Sequence, residues 1–425
     1  MSTKHVKYLI IGAGISGLCA ALSLGQEALI LEKEAAPGGY SRSIRQDGYL
    51  WDYAGHFFHF NTDAARQFFQ SLFAPEELVE KEKRCRILYG GALIDYPFQN
   101  NIHELEKDEL IDCLYDLFHR PVKQSYTSFS ELLYGSYGRS ITEKFLRPYN
   151  EKLYACDLNT LAPTAMGRFF PSVDPAAIID GMKDRRDKTY NSRFFYPKKG
   201  AGAFIDRLCQ QLSPGSLQTG RSLAALKADE KTAIDSRGDD YRYEVLINTS
   251  PLKYFLSLLG EADKAQADAL FCNKVLVFNL GFEKKAPFHD LHWLYVPGSE
   301  ADYYRVGFYD NILCGNRASL YVEIGYPEES RIDTDEELAR TLYALQAQGL
   351  IQTENRLLSH RALIMDPAYV HIRPETESMI QTVKAELARQ GIYTIGRYGS
   401  WRYCSMEDCM LEAFSLAESL KGGEA

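Results

Sequence analysis

The strongest constraint on this chain is a glycine-rich turn near its beginning, where glycines at positions 12, 14 and 17 form the pattern GxGxxG. Residues 7–11 before the turn are an apolar run typical of a buried strand. Residues 15–24 after it are small and apolar, as in a helix packed on a sheet, and residues 28–31 predict the next strand. A strand, a glycine-rich turn, a helix and a second strand together form the βαβ unit of dinucleotide-binding domains.

Each glycine of this turn has its own physical task in binding a dinucleotide. Gly12 permits the tight turn, Gly14 lets the backbone approach a pyrophosphate, and Gly17 lets the helix lie close to the sheet. Free N–H groups at the start of the helix then face two negatively charged phosphates. Glu32 ends the second strand, where its carboxylate accepts hydrogen bonds from ribose hydroxyls. The sequence therefore predicts a bound dinucleotide.

Length, charge and cysteine content narrow the class of protein. At 425 residues the chain exceeds one compact core, so two or three domains are expected. A net charge of −9 argues against non-specific binding to nucleic acid or anionic lipid. The nine scattered cysteines include no CxxC pair, so neither a metal site nor a redox dithiol is expected. Without a secretory leader or a membrane-spanning apolar run, the sequence predicts a cytoplasmic protein without membrane insertion.

A second glycine pair follows Glu32, in the stretch Lys33-Glu-Ala-Ala-Pro-Gly-Gly-Tyr-Ser-Arg42. A pair at this position resembles the flavin enzymes of the superfamily that includes amine oxidases, phytoene desaturases and protoporphyrinogen oxidase. In that superfamily the additional loop and its arginine wrap the remainder of FAD, which implies FAD rather than NAD as the cofactor here. The alternative interpretation is that Gly38 and Gly39 form a plain turn.

The hydrophobic pattern changes along the rest of the chain. Residues 62–193 have apolar residues at helical spacing, residues 274–324 are rich in β-formers, and a strand at 392–395 precedes a closing helix at 406–420. We predict an α/β fold: a Rossmann-like FAD-binding domain (GR2-type), a helical substrate domain and a β-sheet-rich substrate domain. The predicted FAD-binding domain is discontinuous, formed by residues 1–75, 194–265 and 388–425. The helical domain is predicted at 76–193 and the sheet-rich domain at 266–387.

Within the flavin superfamily the chain resembles the UDP-galactopyranose mutase family, most closely its eukaryotic type. The segment at 95–102 reads DYPFQNNI and nearly reproduces the YPFQNNI string of that family, which makes it the most specific match. The other matching segments are Tyr53-Ala-Gly-His56, Arg147-Pro-Tyr-Asn-Glu-Lys-Leu-Tyr154, Trp293-Leu-Tyr295 followed by Tyr304-Arg305, and Gly396-Arg-Tyr-Gly-Ser-Trp-Arg-Tyr403. The resemblance implies an enzyme that acts on a nucleotide sugar.

The resemblance also implies roles for individual residues. The nucleotide base and its ribose would be held by Tyr96, Phe98, Gln99, Asn150 and Tyr154. The diphosphate would be held by Arg168, Arg305 and Arg397 and by the hydroxyls of Tyr295, Tyr369 and Tyr403, with Arg168 and Tyr369 placed by spacing alone. The implied FAD-binding set is Gly12, Gly14, Ser16, Gly17, Glu32, Lys33, Gly39, Tyr40, Ser41, Gly55, His56, Gly396, Arg397, Tyr403 and Met406.

The implied chemistry is covalent catalysis without net oxidation, for which the catalytic side chains would be His56, Arg305 and Arg397. N5 of reduced FAD would attack the anomeric carbon, the nucleoside diphosphate would leave, and the sugar would open and reclose as the furanose, a precursor for polysaccharide biosynthesis. His56 would lie beside the flavin and steady its reduced form. Arginines suit this site because a diphosphate needs planar, permanently charged donors. NAD(P)H is the expected external reductant.

The sequence departs from the family pattern in two places. Ala54 replaces a glycine, and the segment Cys404-Ser-Met-Glu407 lacks both the asparagine of eukaryotic mutases and the aspartate of bacterial ones. The identity of the sugar and the nucleotide, and the oligomeric state, therefore stay open. Three alternatives remain: a flavin oxidase or dehydrogenase acting on an amine or polyene, a mutase for another nucleotide hexose, and a flavoprotein without catalysis. No GxSxG, HExxH or P-loop motif supports a hydrolase or kinase.

Overall fold

The computed structural model of the protein describes residues 3–167, 174–182 and 192–423, so Arg168 lies outside the described residues. The strands are β1 (Lys4–Ile11), β2 (Ala28–Glu32), β3 (Ser43–Gln46), β4 (Tyr49–Asp52), β5 (Leu78–Glu82), β6 (Cys85–Tyr89), β7 (Ala92–Asp95), β8 (Arg193–Pro197), β9 (Leu217–Thr219), β10 (Leu223–Lys227), β11 (Thr232–Asp235), β12 (Asp240–Asn248), β13 (Phe271–Phe282), β14 (Trp293–Tyr295), β15 (Arg305–Phe308), β16 (Ser319–Pro327), β17 (Leu357–Met365), β18 (Val370–His371) and β19 (Ile392–Thr394). The helices, short 3₁₀ turns aside, are α1 (Ile15–Leu24), α2 (Asp63–Ser71), α3 (Lys107–Phe118), α4 (Phe129–Ile141), α5 (Arg147–Tyr154), α6 (Pro175–Gly181), α7 (Gly202–Gln211), α8 (Leu252–Leu256), α9 (Glu261–Asp268), α10 (Tyr309–Leu313), α11 (Thr334–Ala347), α12 (Pro374–Arg389), α13 (Gly396–Gly399) and α14 (Met406–Gly422). A π-helix, Thr142–Leu146, joins α4 to α5.

The first of the two large sheets contains the predicted βαβ unit. Its strand order is β10-β11-β12-β1-β2-β9, and β19 pairs with the end of β12. β1 runs parallel to β2 and to β12, with Tyr8 opposite both Ala28 and Val245. Leu9 and Ile10 are fully buried, and α1 packs against α7 and α14. Because β1, β2, β12 and β19 are parallel, their carboxyl ends meet at one edge, which is where such sheets bind ligands.

The second large sheet is mostly antiparallel and has the order β17-β13-β16-β15-β14-β6-β7, with β18 beside β13. β14 and β15 place Tyr295 opposite Arg305, and β15 and β16 place Arg305 opposite Glu323. Helix α5 packs on β16. The strand pairing therefore places Tyr295, Arg305 and Glu323 in one row across β14, β15 and β16.

The segment predicted as mostly helical, residues 62–193, contains helices α2–α6 but also three strands, β5, β6 and β7. β6 and β7 extend the second sheet, where Ile87 and Ile94 are cross-strand partners and both are buried. β5 pairs with β8. These strands are four or five residues long. β5 and β6 have partners far away in sequence, whereas β7 pairs with β6 across Gly90 and Gly91. The domain division stays a prediction, but residues 85–95 lie with the second sheet rather than with the helices.

Two apolar clusters hold the layers together. The larger one joins the first sheet to its helices, and the smaller one includes Phe278, Leu320 and Leu345, which lie on β13, β16 and α11. Among the described residues, no helix has both the length and the apolar character that crossing a membrane requires. The mixed α/β architecture confirms the predicted fold class.

Candidate functional site

One cavity of about 1240 Å³ extends from the carboxyl edge of the first sheet to the space between the second sheet and α5. All of the predicted site residues that the structure describes line this cavity, except Gly17, Phe98 and Tyr154. Phe98 is fully buried and stacks on Phe145, with ring centroids 5.3 Å apart. Tyr154 is also fully buried, 5.8 Å from the ring of Tyr369. The binding roles of these residues stay predictions, but the structure brings nearly all of them to one space.

The glycine-rich turn forms one end of the cavity. The N–H of Gly12 donates to the carbonyl of Leu31 at 2.8 Å, and a Cβ at Gly17 would overlap the carbonyl oxygen of Gly12. Gly14 caps α1 without a side-chain acceptor, so the first N–H groups of the helix remain available to a ligand. Glu32 is buried and accepts from the N–H of Ala13 at 2.7 Å. This geometry fits the diphosphate and ribose of a dinucleotide.

The second glycine pair continues this wall of the cavity. The N–H of Gly38 donates to the carbonyl of Ala13 at 2.7 Å, so the second glycine segment lies directly against the first. Arg42 donates through Nε to the carbonyl of Gly39 at 2.9 Å, and its guanidinium lies 4.9 Å from the centroid of the Tyr53 ring. The predicted loop therefore wraps back onto the dinucleotide turn and is more than a surface turn.

His56 lies in the middle of the cavity wall. Its Nδ1 is buried and has no hydrogen-bond partner among the described residues. Burial lowers the pKa of His56 to about 4, and the charges of Arg397 and Arg305 act in the same direction. The imidazole is therefore neutral at ordinary pH and offers a hydrogen bond without adding charge.

Arg305 is paired with a carboxylate that the sequence analysis did not single out. Its Nη2 donates to both oxygens of Glu323 at 2.7 Å, and Glu323 is 1% exposed. Nε of Arg305 is buried and has no partner in the described part of the chain. Because Glu323 neutralises this guanidinium, Arg305 contributes less net positive charge than the sequence suggested.

Arg397 supplies positive charge beside the phenols of the cavity. Its guanidinium donates to the carbonyls of Cys404 at 3.2 Å and Ala368 at 3.4 Å, and no carboxylate pairs with it among the described residues. It lies 4.7 Å from the Tyr403 ring centroid and 5.1 Å from that of Tyr369. These two rings stack at 5.8 Å with an interplanar angle of 15°. The arrangement presents a cation bordered by phenols, as an anionic ligand requires.

A group of tyrosines forms the far end of the cavity, and sequence reasoning found only part of it. The ring centroid of Tyr295 lies 4.8 Å from that of Tyr96 and 5.3 Å from that of Tyr149. The ring centroids of Tyr149 and Tyr304 are 6.0 Å apart. Burial raises the pKa of Tyr149, Tyr295 and Tyr304, so these phenols remain neutral donors. The buried amide oxygen of Asn150 nearby has no hydrogen-bond partner in the part of the chain that the structure describes. Tyr149 and Tyr304 lie inside the sequence segments that resemble the mutase family, and this position could have identified them as site residues.

The polar side chains of the segment Cys404–Glu407, which departs from the family pattern, make hydrogen bonds within the protein. Ser405 caps α14: its hydroxyl accepts from the N–H of Asp408 at 3.1 Å, and the Asp408 carboxylate accepts from the N–H of Ser405 at 2.8 Å. Glu407 is buried and accepts from the N–H groups of Asn61 at 2.9 Å and Thr62 at 2.8 Å. These residues fix the start of α14 and tie it to α2.

The cysteines are less scattered than the sequence analysis expected. The sulfur atoms of Cys404 and Cys409 lie 3.7 Å apart, and both residues line the cavity. Their spacing, with four intervening residues, places the second thiol one helical turn into α14. This contact of two thiols was not predicted from the sequence, and all nine cysteines are free.

A parallel sheet with a dinucleotide turn, facing a second sheet across one cavity, defines a dinucleotide-binding protein of two-sheet architecture. The sequence profile of the flavin containing amine oxidoreductase family matches residues 15–420, and the chain belongs to this family. It is therefore an enzyme of the FAD-dependent amine oxidase superfamily. The residues present fit FAD, because the turn at Gly12–Gly17 leaves no room for a Cβ at Gly17 and Glu32 is held at the edge of the cavity.

The chain is also similar to individual proteins in sequence and in fold. Coproporphyrinogen III oxidase of Staphylococcus aureus (strain NCTC 8325 / PS 47) is 23% identical over 297 residues, covering 61% of this chain and 63% of that protein. The match thus spans less than two thirds of that relative. A crystal structure of reduced UDP-galactopyranose mutase superposes with a TM-score of 0.92 at 24% identity, covering 98% of this chain and 96% of that one. A putative protoporphyrinogen oxidase from Exiguobacterium sp. 255-15 has a TM-score of 0.78 at 18% identity, with both chains fully covered. These structural similarities establish the fold.

Proposed function

We propose that the protein is a flavin-dependent nucleotide-sugar mutase that interconverts pyranose and furanose forms, similar to UDP-galactopyranose mutase. The observation that carries the proposal is the cavity itself, in which the dinucleotide turn continues into a chamber lined by several phenols and by Arg397, which has no carboxylate partner among the described residues. Its volume of about 1240 Å³ exceeds the roughly 300–1,000 Å³ typical of a single small-molecule site. FAD and a second elongated ligand therefore have room together.

The charges in the chamber favour a diphosphate as the group that is recognised. Arg397 has no carboxylate partner among the described residues and lies between the dinucleotide turn and the tyrosines. Tyr369 and Tyr403 border its guanidinium and add neutral hydroxyl donors. Arg305, held by Glu323, would contribute donors at fixed positions with little added charge. A diphosphate matches this combination better than an amine, which the exposed face of Arg397 would repel.

The far end of the chamber suits a nucleoside. Asn150 presents a buried amide oxygen that has no partner among the described residues and that a base N–H or a ribose hydroxyl would satisfy. Gln99 and Tyr96 line the same end, and Tyr96 and Tyr295 form a tilted aromatic pair that offers a surface for stacking. A buried unpaired acceptor is costly unless a ligand completes it, so Asn150 supports a ligand with a polar head.

These positions indicate which chemical roles FAD and the protein side chains would have. Bound in its reduced form, FAD would supply the nucleophile for the anomeric carbon, with no net transfer of electrons. Arg397 would hold the departing diphosphate within reach, so that recombination stays fast. His56, neutral because burial keeps its pKa near 4, would steady the reduced cofactor through a hydrogen bond rather than through a charge. NAD(P)H would be the external reductant.

An oxidase is the second candidate, and the family membership and the similarity to coproporphyrinogen III oxidase favour it. The wall beside His56 is also apolar, because Phe57 and Trp293 stack at 5.2 Å there. An oxidase would consume oxygen or another acceptor and would start from oxidised flavin. A mutase acting on another nucleotide hexose is the third candidate, since the Ser405–Asp408 capping box leaves the sugar end unlike that of the mutase family.

One experiment separates the mutase from the oxidase. Protein in the oxidised state and protein reduced with dithionite are incubated with UDP-galactofuranose, and the nucleotide sugars are separated by chromatography. Formation of UDP-galactopyranose by the reduced protein alone supports the mutase. Steady oxygen uptake with a porphyrinogen or an amine, and no conversion of the nucleotide sugar in either state, supports the oxidase.

A further inference from the structure

The side chain of Lys152, on α5, ends in a cage of backbone carbonyls. Its Nζ donates to the carbonyl oxygens of Val296 at 3.1 Å, Ala301 at 2.7 Å, Tyr303 at 3.2 Å and Gly298. All four carbonyls belong to residues 296–303, the loop that joins β14 to β15. A lysine on a short surface helix ordinarily points its ammonium into water, so this convergence of four acceptors is a specific structural feature.

The loop held by Lys152 connects two residues of the candidate site. Tyr295 is the last residue of β14 and Arg305 the first of β15, and the two are paired across the strands. The N–H of Val296 donates to the carbonyl of Tyr304 at 2.8 Å, which closes the base of the loop. The positions of Tyr295 and Arg305 in the cavity therefore depend on how this loop is folded.

Helix α5 is itself fixed on the second sheet. Its backbone passes so close to β16 that a Cβ at Gly325 would overlap the carbonyl oxygen of Lys152. The carbonyl of Leu153 accepts from the side-chain amide of Asn273 on β13 at 2.7 Å. The same helix carries Asn150, which lines the cavity. Lys152 thus extends from an anchored helix to the loop between two site strands.

The convergence requires a positive charge. Four carbonyl dipoles with their negative ends directed at one point repel each other unless a cation or several donors lie between them. An ammonium supplies a full charge and three N–H donors. A neutral side chain of the same length cannot do this, so the loop conformation depends on the charge of Lys152 and not on its volume.

We propose that Lys152 is a positioning residue: its ammonium acts as a built-in monovalent cation that fixes the 296–303 loop and so sets Tyr295 and Arg305 for the ligand bound by Asn150. The ligand part of this inference rests on the proposed function, in which that ligand is a nucleoside diphosphate sugar. Lys152 itself does not line the cavity. It acts through the spacing between α5 and the β14–β15 pair.

The test uses Lys152→Ala, which removes atoms equivalent to propylammonium, in the FAD-bound full-length protein. We expect hydrogen exchange in the peptide spanning residues 293–305 to speed up and UDP affinity to fall about tenfold. Propylammonium added to the variant should restore both, because it replaces the missing charge and chain. Propanol, matched in size but uncharged, should restore neither. Lys227→Ala, at an exposed lysine paired with Glu230, is the control and should behave as wild type.

Lys152→Met keeps the packing volume of the side chain but removes its charge. It should show the same losses of UDP affinity and of protection from exchange as Lys152→Ala. If the alanine variant does not hold FAD, the methionine variant serves for the same measurements. Wild-type affinity and exchange in both Lys152 variants, or equal rescue by propanol and propylammonium, would overturn the inference. Failure of the wild-type protein to bind UDP at millimolar concentration would overturn the proposed function and the ligand part of this inference, while the exchange measurements would still decide whether the charge holds the loop.

Discussion

Arg305 and Glu323 face each other across β15 and β16, and one guanidinium nitrogen donates to both carboxylate oxygens at 2.7 Å. The pair lies in the cavity wall, with Glu323 almost completely buried. A buried ion pair is weak evidence for stability, yet removing one partner leaves an uncompensated charge. The pair therefore sets how strongly Arg305 attracts an anion.

Replacing Glu323 with glutamine tests this relationship. The variant keeps the shape of the side chain but leaves the Arg305 charge uncompensated, so we expect the free energy of unfolding to fall by up to about 3–5 kcal/mol. An anion beside Arg305 would replace the lost carboxylate charge, so UDP should raise the melting temperature of Glu323→Gln more than that of wild type. Equal UDP shifts in both proteins would show that Arg305 does not contact the ligand.

Arg397 is expected to dominate binding of the diphosphate. We predict that Arg397→Ala lowers UDP affinity about 10- to 100-fold, because a charge-assisted contact is lost. Arg397→Lys should recover little, since an ammonium cannot hold the Cys404 and Ala368 carbonyls and a phosphate in one plane. Titration calorimetry with UDP measures the affinity, and the flavin absorbance reports cofactor content. Near-complete loss of flavin in both variants would contradict this, because Arg397 would then serve chiefly the cofactor and not the diphosphate of the substrate.

The dinucleotide turn can be tested separately from the sugar chemistry. In Gly17→Ala the added methyl would overlap the carbonyl of Gly12, so α1 must move away from the first sheet. We predict that this variant is purified with a small fraction of the wild-type flavin content. Gly422→Ala is the matched control, because a Cβ there meets open space. A Gly17→Ala protein with full flavin content would contradict the proposed packing of α1.

The dinucleotide turn and the helix after it are local features, so they were predictable from the sequence. The glycines of the turn, Glu32 and helix α1 follow from short-range rules of backbone geometry and helix packing. The pair Arg305–Glu323 was not predictable, because it arises from the register of β15 and β16, eighteen residues apart. The partners of Lys152 are equally non-local, since they lie about 150 residues away.

Short strands were the main difficulty in predicting the fold. β6 and β7 have five and four residues and pair with each other across the two-residue turn Gly90-Gly91, a local hairpin signal that was overlooked. The pairing of β6 with β14, about two hundred residues later, is non-local. Helix α12 and strand β17 were also missed, although α12 has sixteen residues. The contact between Cys404 and Cys409 had a signal in their spacing, which a search for CxxC pairs overlooks.

The titration of His56 predicts how stability depends on pH. Its pKa is lowered from 6.5 to about 4 in the folded protein, chiefly by burial. Between these values the unfolded chain binds a proton that the folded protein does not, so the free energy of unfolding falls as pH drops from 6.5 to 4. Replacing His56 with glutamine should flatten this dependence, as measured by urea unfolding at several pH values. An unchanged slope would mean that His56 is not neutral in the folded state.

The burial of Lys152 predicts a second pH effect, at the alkaline side. Burial lowers the pKa of Lys152 to about 8 and outweighs the opposite effect of Asp302 and Glu300. Below this pH the ammonium is charged and holds the loop, so UDP affinity should fall as pH rises from 7 to 9. Lys152→Arg keeps its charge over this range, and its UDP affinity should vary less. An equal decline in both proteins would assign the effect to another group.

The central claim is that a nucleoside diphosphate binds between Arg397 and the tyrosine-lined chamber, next to the flavin. A crystal structure of the dithionite-reduced protein with UDP tests it most directly. We predict diphosphate oxygens within about 3.2 Å of Arg397 and of Tyr369 or Tyr403, with the nucleoside beside Asn150. UDP bound elsewhere, or a chamber filled by another ligand while Arg397 makes no phosphate contact, would contradict the account.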